Sequence, residues 1–576
     1  MADTVNITIN GNEHHVPAGQ NLLKTALELG YSIPHFCWHE KLKVDGNCRM
    51  CVVEVKPGPD KPQLACTLTV AEGMEVVTES EQLAKQRAAN LEFLLLNHPL
   101  DCPICDKSNE CPLQDYTYQY GQAKSWMFDA GLHSEKRRYP RKDISEQIFI
   151  EMDRCIHCTR CVRYFDEKVG FSGFGRTLRN HQMRIDAYPG LPANNFELNS
   201  TDICPVGALG EKNFRFKERV WDLYNRPSIC SGCSVGCNTL IGSADGIVRR
   251  MIPRRNDNVN SVWMCDRGRL NFGHANAENR GASPLVLQQA GVHARTSWEE
   301  AVSAAAQALK TAHATAPESV GVYISPFLTN EDIFLARRMC ETLLPGSKYG
   351  TIMGLNRLPV LDVDSDILPK TLVSEDHTPN TNGTIKLGIP GGRMVDYLKE
   401  IVEAIEAGTL KVLMVLGEDL MRIKRGPGLK EPTVISRNRL SEALRTLDVL
   451  IVADLFADSQ TSQLSSVYLP TVSSYEKSGS FVNRSAMVQS FDAAVTRTDL
   501  PLAKADLSVL NLLWRALDPA WEEKSLAEVR AMMNAEDPVF ATVDWDAVAI
   551  GETPVFLSED DWALKAQAEA MKKTTE

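Results

Sequence analysis

The distribution of cysteines constrains this sequence more than any other feature. Fifteen of the 16 cysteines lie in the first 265 residues, and only Cys340 lies beyond them. Clustered cysteines in a chain of a reducing compartment are more often metal ligands than disulfides. The spacing therefore divides the chain into a metal-rich front and a thiol-poor back.

The first group of cysteines has a long loop, a tight CxxC pair and a distant fourth cysteine. A flat two-iron, two-sulfide cluster needs two thiolates on each iron, and this spacing can wrap it. Gly46 and Asn47 allow the backbone to approach the sulfides closely. A zinc ribbon, the alternative, usually has two CxxC pairs, and this stretch has one. The predicted [2Fe–2S] ligands, named the Cys37 group, are Cys37, Cys48, Cys51 and Cys66.

A later stretch, RCIHCTRC, has three cysteines at two-residue gaps and is followed by a remote Cys-Pro in ICPVGAL. Three such cysteines can hold three corners of a [4Fe–4S] cubane, and the rigid Cys-Pro turns a fourth thiolate inward. In two-cluster ferredoxins the remote cysteine serves the other cluster. This chain has one such triplet, so one cubane is predicted, with zinc or a disulfide pair as alternatives. The predicted ligands, named the Cys155 group, are Cys155, Cys158, Cys161 and Cys204.

A further group begins with CSGCSVGC and ends with the cysteine of MCDRG. A CxxCxxxC pattern with a distant cysteine also fits a [4Fe–4S] cubane, and a zinc site is again the alternative. The predicted ligands, named the Cys230 group, are Cys230, Cys233, Cys237 and Cys265.

The stretch HPLDCPICDKSNEC contains only three cysteines at ligand spacing, Cys102, Cys105 and Cys111. The other groups use every remaining front-half cysteine, and Cys340 is interpreted as an ordinary buried thiol of an amphipathic helix. His98 stands four residues before Cys102, and imidazole is an accepted iron ligand. We predict that these four residues, the His98 group, hold a [4Fe–4S] cluster. The alternative for His98 is a surface or helix-capping histidine.

A neutral imidazole in place of an anionic thiolate removes one negative charge from the cluster shell. Reduction adds a negative charge, so the reduction potential should rise, as it does in Rieske centres. Arg49, Arg154, Arg160 and Arg163 lie among the ligands and can act in the same direction through Coulomb attraction, or can be solvated surface charges.

The front half begins with the pattern of a small β-grasp ferredoxin domain. Val5, Ile7 and Ile9 alternate with polar residues, and Asn10-Gly11 predicts a hairpin turn. Residues 21–29 read as a helix stopped by Gly30. Residues 81–97 read as a second helix, which would deliver His98 and the cysteines after it.

The back half alternates short apolar strands with helices. The predicted strands are 321–325, 411–417 and 449–455, and a capping box at Ser297 and Glu300 begins an Ala-rich helix over 298–312. Such alternation implies parallel α/β packing.

Charge, hydropathy and the visible motifs argue against several classes of function. The formal net charge of −12 argues against nonspecific nucleic-acid binding, and no apolar run is long enough to span a bilayer. The first residues show no secretory or transit signal, so a cytoplasmic location is expected. No dinucleotide fingerprint, P-loop or Ser/His/Asp arrangement is visible, so no substrate active site is expected. Four iron–sulfur sites in one chain indicate electron transfer.

At these motifs the sequence resembles the family of the large iron–sulfur subunit of respiratory complex I, the G subunit of NADH-quinone oxidoreductase. The stretches that carry the resemblance are PHFCW with GNCRMC, CPICDKSNECPLQ and RCIHCTRCVRY. Asn109 departs from the pattern, because a small Gly or Ser is usual there. In that family the histidine that matches His98 is a cluster ligand.

The resemblance implies a route and partners. Electrons from NADH would pass from a flavoprotein that holds FMN to the Cys37 group, then to the Cys155 group, then to the His98 group, and leave for quinone-side iron–sulfur subunits. The Cys230 cluster would lie off this path. The chain would sit on the cytoplasmic face of the bacterial inner membrane, with membrane contact only through the complex.

The back half resembles the molybdopterin oxidoreductase fold at SPFLTNEDIFLARRM and SSVYLPTVSSYEKSGSFVNRSAMVQ. No downstream cysteine is placed to bind molybdenum, so a scaffold without molybdenum or pterin is expected. The predicted fold class is a multidomain α+β front of ferredoxin-like domains and an α/β back. The predicted domains are 1–80 ([2Fe–2S] ferredoxin-like), 81–120 (His-Cys₃ [4Fe–4S]), 121–220 ([4Fe–4S] ferredoxin-like), 221–275 ([4Fe–4S], molybdopterin-oxidoreductase type), 276–510 (degenerate molybdopterin-oxidoreductase-like) and 511–576 (C-terminal tail).

Two rival functions share parts of this pattern. An NAD-linked formate dehydrogenase or a hydrogenase has a similar front half. The formate dehydrogenase would need a metal ligand and a complete pterin site, and an [FeFe] hydrogenase would need further cysteine motifs for its active cluster. A zinc-stabilised interaction or nucleic-acid protein would use the same cysteines without iron.

Overall fold

A computed structural model describes residues 4–557, except for 130–135, 137, 189, 192–193, 290, 354–366, 373, 375, 422–434 and 551–554. The chain forms two compact units: a front unit, Met1–Leu223 with Asp362–Thr371, and a back unit, Tyr224–Leu361 with Leu372–Glu576. In the described residues, no helix combines the length and the apolarity that a membrane span requires.

The front unit begins with a mixed sheet in the order β2-β1-β5-β3-β4. Its strands are β1 (Thr4–Ile9), β2 (Asn12–Pro17), β3 (Val52–Lys56), β4 (Gln63–Leu64) and β5 (Met74–Val77). β1 pairs antiparallel with β2 and parallel with β5. Helix Leu22–Glu28 is N-capped by Asn21, and its Leu22, Leu23 and Ala26 are buried. The predicted hairpin and helix are confirmed, and they frame the loop that carries the Cys37 group.

Helix Glu81–Leu95 follows, N-capped by Ser80, with Leu83 and Leu91 buried. The rest of the front unit consists of short elements. They are the helices Pro112–Tyr120, Trp126–Asp129, Arg160–Tyr164, Asn199–Ile203 and Leu368–Thr371, and the strands β6 (Lys142–Asp143), β7 (Ile148–Ile150), β8 (Phe174–Thr177), β9 (Arg184–Ala187) and β10 (Leu209–Glu211). They form the sheets β10-β7-β6 and β8-β9. Cys161 lies within helix Arg160–Tyr164, and the other ligand candidates of this region lie in the segments between these helices and strands.

The back unit opens with an antiparallel meander of β11 (Tyr224–Ile229), β12 (Asn238–Ala244) and β13 (Ile247–Pro253). The CSGCSVGC stretch connects β11 to β12. The short helices Asp266–Arg269 and Gly273–Asn276 follow the last cysteine of that group.

A larger sheet in the order β15-β14-β21-β20-β19-β16-β17-β18 forms the centre of the back unit. Its strands are β14 (Leu285–Leu287), β15 (His293–Arg295), β16 (Val320–Ile324), β17 (Lys348–Met353), β18 (Gly391–Arg393), β19 (Val412–Leu416), β20 (Val449–Asp454) and β21 (Val467–Pro470). β16 to β21 pair in parallel, as predicted. The strand order reverses between β16 and β19, and α/β proteins bind ligands at such reversals.

Helices cover this sheet. They are Trp298–Thr315, Asn330–Leu343, Thr381–Lys386, Met394–Glu406, Arg437–Thr446, Gln460–Gln463, Asp506–Leu517, Leu526–Glu536 and Trp545–Ile550, beside a further sheet of β22 (Gly479–Val482), β23 (Met487–Phe491) and β24 (Val555–Phe556). The predicted capping box of Ser297 and Glu300 is present.

The chain beyond residue 511, expected to be a tail, contributes to the core of the back unit. Leu513, Trp514 and Met533 are buried in the same apolar cluster as Leu335. Residues 558–576 lie outside the described residues.

Candidate iron–sulfur centres

The four thiols of the Cys37 group come together beside the first sheet. The backbone N–H groups of Phe36 and Cys37 both donate to Cys48 Sγ at 3.4 Å. Hydrogen bonding with the Cys48 and Cys66 thiols lowers the pKa of Cys37 to about 2, and hydrogen bonding with Cys66 lowers the pKa of Cys51. The same hydrogen bonds raise the pKa values of Cys48 and Cys66, so they favour anionic sulfur at Cys37 and Cys51 and hold the proton on the other two thiols.

The turn before Cys48 has a left-handed backbone conformation at Gly46, which favours glycine. Gly46 has φ +68°, and a Cβ there would lie 3.4 Å from Thr67 Cγ2. The amide of Asn47 donates to Asp45 Oδ2 at 2.6 Å and to the carbonyl of His157 at 3.1 Å. This second bond joins the loop of the Cys37 group to that of the Cys155 group.

The imidazole of His98 has one ring nitrogen that is available to a metal. Its Nδ1 is buried and has no hydrogen-bond partner. Burial, with the charges of Lys136 and Arg154, lowers the pKa of His98 to about 4. The ring is therefore neutral near pH 7, as metal ligation requires.

The cysteines of the His98 group differ in exposure, since Cys102 is exposed while Cys105 and Cys111 are buried. A Cβ on Gly207 would lie 2.1 Å from Cys105 Sγ, so the backbone of the ICPVGAL stretch runs directly against this thiol. The Cys111 thiol donates to the carbonyl of Pro205 at 3.6 Å. Both cysteines therefore adjoin the segment that follows Cys204.

Asn109 departs from the family pattern but adopts the backbone that the pattern requires. Its φ is +71°, a left-handed conformation that Gly and Asn adopt more readily than other residues. The substitution is therefore compatible with the loop between Cys105 and Cys111.

All four thiols of the Cys155 group line one small cavity, together with apolar side chains and Arg160. His157 and Thr159, which alternate with the cysteines, have φ values of +54° and +60°. Burial raises the pKa of Cys158 to about 11 and raises those of Cys155 and Cys161. A buried thiol of this kind becomes a thiolate when a cation is present to compensate its charge.

The Cys230 group is brought together in the back unit. The N–H of Cys230 donates to the carbonyl of Cys237 at 2.9 Å, and Cys265 Sγ caps the following helix by accepting from Gly268 N–H at 3.3 Å. A Cβ on Gly268 would lie 3.0 Å from Cys230 Sγ and 3.3 Å from Cys265 Sγ. Burial raises the pKa of Cys233 to about 11, with further contributions from Cys265.

The donor chemistry of the four groups fits iron–sulfur clusters, because thiolates and a neutral imidazole are accepted iron ligands. The orphan Nδ1 of His98 and the space that Gly207 leaves beside Cys105 support this fit. In the part of the chain that the structure describes, no three His, Cys, Asp or Glu side chains are arranged so that they could hold a metal ion. A cluster, by contrast, distributes its ligands over several irons.

Cys340 is separate from these groups. It is buried in helix Asn330–Leu343 within the apolar core, and burial raises its pKa to about 12.

The carboxyl ends of β19 and β20 carry acidic residues that the sequence analysis did not single out. The hydroxyls of Tyr323 and Ser325 donate to Glu418 at 2.9 and 2.8 Å, and burial raises the pKa of Glu418 to about 7. Burial also raises the pKa of Asp454 to about 7. No sequence motif marks them, because only the parallel pairing of the strands brings them together.

A cavity of about 760 Å³ opens at the same edge of the sheet. Its lining residues are Gly273, His274, Ala277, Asn279, Asp419, Met421, Arg437, Phe456, Asp458, Ser459 and Gln460.

Family models match the segments that contain the four groups. A 2Fe-2S iron-sulfur cluster binding domain matches residues 2–81, the NADH-ubiquinone oxidoreductase-G iron-sulfur binding region matches 87–125, and the ferredoxin-like domain of NADH-quinone oxidoreductase subunit 3 matches 145–210. The molybdopterin oxidoreductase Fe4S4 domain matches 225–277, and molybdopterin oxidoreductase matches 393–511. The chain therefore contains 2Fe-2S and 4Fe-4S binding domains and a molybdopterin oxidoreductase domain.

Curated relatives are named as G subunits of NADH-quinone oxidoreductases. The protein of Streptomyces coelicolor is 37% identical over 346 residues, 59% of this chain and 40% of the relative. The protein of Rickettsia bellii is 34% identical over 340 residues, 59% of this chain and 48% of the relative. The aligned region thus spans less than half the length of these relatives. Within it, the predicted resemblance to the G subunit is confirmed.

Two solved structures are also similar. An NAD⁺-reducing [NiFe]-hydrogenase in the H₂-reduced state shares 29% identity over 38% of this chain and 91% of that chain, with a TM-score of 0.33. Acetylene hydratase from Pelobacter acetylenicus shares 10% identity over 58% of this chain and 74% of that chain, with a TM-score of 0.39.

Proposed function

We propose that this chain, homologous to the G subunit of NADH-quinone oxidoreductase, is an electron-transfer subunit in the peripheral arm of an NADH:quinone oxidoreductase. The matched domains and the relatives support this function. The chain would hold one [2Fe–2S] and three [4Fe–4S] clusters and have no substrate site of its own. Each cluster, when bound, exchanges one electron without rearrangement of covalent bonds.

The four groups supply the ligands. The proposed [2Fe–2S] ligands are Cys37, Cys48, Cys51 and Cys66, and the proposed [4Fe–4S] ligands are His98, Cys102, Cys105 and Cys111; Cys155, Cys158, Cys161 and Cys204; and Cys230, Cys233, Cys237 and Cys265.

One observation carries the proposed route: the Cys155 group adjoins both other groups of the front unit. The guanidinium of Arg163 donates to the carbonyl of Cys37 at 2.5 Å and to that of Cys158 at 3.3 Å. On the other side, Cys105 and Cys111 contact the segment that follows Cys204. Contacts therefore run from the Cys37 group through the Cys155 group to the His98 group, the order that the resemblance implies.

The residues of the chain itself prepare these sites. Backbone N–H groups donate to Cys48 Sγ, and donation to sulfur stabilises added negative charge. Burial of Cys158 and Cys204 excludes water. The exposure of Cys102 supports a position of the proposed His98 cluster near the surface, where an electron can leave for a partner.

We further propose an FMN-bearing, NADH-oxidising flavoprotein as the donor and quinone-side iron–sulfur subunits as the acceptors. The chain would lie at the cytoplasmic face of the bacterial inner membrane and contact the membrane only through the complex. No nucleic-acid partner is proposed, since the net charge is −12.

For the back unit we propose a scaffold without molybdenum or pterin, because the sequence offers no placed cysteine ligand for molybdenum. An NAD-linked formate dehydrogenase remains the competing function, since the molybdopterin oxidoreductase domain is present. Molybdenum analysis of the purified protein separates the two. Stoichiometric molybdenum would overturn the proposal.

Stepwise reduction of the anaerobically purified chain, followed by EPR, tests the cluster assignment. The wild type should show one two-iron signal and several four-iron signals. In His98→Cys, a thiolate replaces a neutral ring, so one four-iron signal should titrate at a lower potential while the others stay unchanged. A spectrum and potentials identical to those of the wild type would remove His98 from the ligand set.

A further inference from the structure

Arg160 occupies the boundary between the Cys37 and Cys155 groups. It begins helix Arg160–Tyr164, one residue before Cys161. Its Nη2 donates to the carbonyl of Trp38 at 2.5 Å, and its Nη1 donates to the carbonyl of Ile203 at 3.1 Å. Trp38 directly follows Cys37 and Ile203 directly precedes Cys204. One planar guanidinium thus joins the backbones beside a ligand of each group.

The charge of Arg160 also faces both groups. Its side chain lines the cavity that the four thiols of the Cys155 group share. The sulfur atoms that interact with it electrostatically are two from each group, Cys158 and Cys204, and Cys48 and Cys37. Its Nε is buried and has no hydrogen-bond partner, so one N–H remains available to a further acceptor.

A cation between the two proposed clusters has a calculable direction of effect, and Arg160 is such a half-buried cation. Reduction adds one negative charge to a cluster, and a fixed positive charge nearby stabilises that form. Because Arg160 is half-buried, water screens this attraction less than it would at an open surface. The potentials of both clusters should rise together, which keeps them matched to each other.

We propose that Arg160 is a positioning residue that bridges the Cys37 and Cys155 sites, fixes their backbones relative to each other and raises the reduction potential of both clusters. The inference rests on the proposed cluster assignment. A solvated surface arginine would neither join the two loops nor raise the two potentials.

Arg163 makes a parallel bridge and explains why Arg160 can be replaced without loss of the fold. Its guanidinium contacts the carbonyls of Cys37, Cys158 and Lys43. These bonds persist when only Arg160 is changed, so the two loops stay joined. A change in potential then reports the charge of Arg160 rather than separation of the loops.

The test is an EPR-monitored redox titration of the full chain with all clusters loaded. In Arg160→Gln, the reduction equilibrium constants of the two-iron cluster and of the Cys155 cluster should each fall about tenfold, which is 59 mV for a one-electron couple. Arg160→Lys keeps the charge and should hold both constants within about threefold of the wild type.

Arg219→Gln is the matched control. Arg219 also donates to the carbonyls of two ligands, Cys105 at 3.2 Å and Cys102 at 3.3 Å, but both belong to the His98 group. Its loss should leave the potentials of the Cys37 and Cys155 clusters unchanged.

The outcomes separate this inference from the proposed function. A wild-type chain without clusters contradicts the proposed function itself. Loaded Arg160→Gln with unchanged potentials, or with a fall at only one cluster, overturns the bridge, as does an equal fall in Arg160→Lys. If Arg160→Gln does not load, Arg160→Met repeats the comparison with a neutral side chain of similar length. Failure of both neutral variants to load, while Arg160→Lys loads, would overturn the effect on potential in favour of a structural role.

Discussion

The cysteine-rich part of the front unit and the sheet of the back unit are stabilised in different ways. Between residues 98 and 223, the longest described helix is Pro112–Tyr120, with nine residues, and the strands have two to four. The back unit has helices of up to 18 residues around a parallel sheet with an extensive apolar core. Short elements bury little apolar surface each, so ligation must contribute more to the front unit. We therefore expect the proposed clusters to stabilise the first part and apolar burial to stabilise the second.

Removal of the clusters should give the largest difference between the two parts. An iron-depleted chain should lose amide protection over 98–129 and 138–188, because the loops that carry the ligands have lost their cross-links. Strand Val412–Leu416 should stay protected, since its five residues are buried in the apolar core. Hydrogen exchange by mass spectrometry measures both. Equal loss of protection in the two parts would contradict the comparison.

A single methyl group should disrupt the front unit locally. In Gly207→Ala, the new Cβ would lie 2.1 Å from Cys105 Sγ, so the His98 cluster should be lost and its EPR signal should disappear. Gly175→Ala is the control, because no atom lies within 4 Å of its Cβ position and the residue is in the same unit. Normal loading of Gly207→Ala would show that the loop can move away from Cys105.

The back unit should respond to a cavity in its apolar core. Leu335 is fully buried, so Leu335→Ala should lower the free energy of unfolding of the back unit by about 2–5 kcal/mol. Leu502 is 45% exposed, so Leu502→Ala should lower the free energy of unfolding by less than about 0.5 kcal/mol. Chemical denaturation followed by Trp fluorescence gives both values, and the iron content should stay at the wild-type level. Loss of iron in Leu335→Ala would contradict the separate origins of stability.

The smallest predicted effect concerns Glu418 at the carboxyl end of β19. Its pKa is about 7 in the folded chain against an ordinary value of 4.5, so the folded state holds the proton more tightly than the unfolded state. The contribution of Glu418 to the free energy of unfolding is therefore fully present below about pH 4.5 and is lost as the pH rises through about 7.

Glu418→Gln removes this titration while the amide can still accept from Tyr323 and Ser325. The variant should exceed the wild type in the free energy of unfolding by about 1–3 kcal/mol at pH 8, and the two should agree near pH 4.5. Denaturation at both pH values measures the difference. A constant difference at the two pH values would show that Glu418 does not titrate in this range.

The sequence was most informative where spacing along the chain determines chemistry. The spacing of the cysteines predicted four ligand groups, and the structure brings together thiols of the Cys37, Cys155 and Cys230 groups. For the predicted ligand His98, the structure shows a buried Nδ1 without a hydrogen-bond partner. Helix and strand signals were equally local, as in the capping box at Ser297. Local patterns are readable because the residues that interact are close in sequence.

Features that depend on contacts between distant segments were not visible. Gly207 approaches Cys105 from about 100 residues away in the sequence. The two carbonyls that Arg160 joins lie 122 and 43 residues from it. Glu418 and Asp454 interact electrostatically only when β19 and β20 pair. The region after residue 511 was predicted to be a tail, yet Leu513, Trp514 and Met533 pack in the apolar core of the back unit.

The iron and acid-labile sulfide content of the anaerobically purified chain tests the central claim most directly. One two-iron and three four-iron clusters predict about 14 irons and about 14 sulfides per chain, with visible charge-transfer absorption. A colourless protein that contains zinc, or iron without sulfide, would contradict the account.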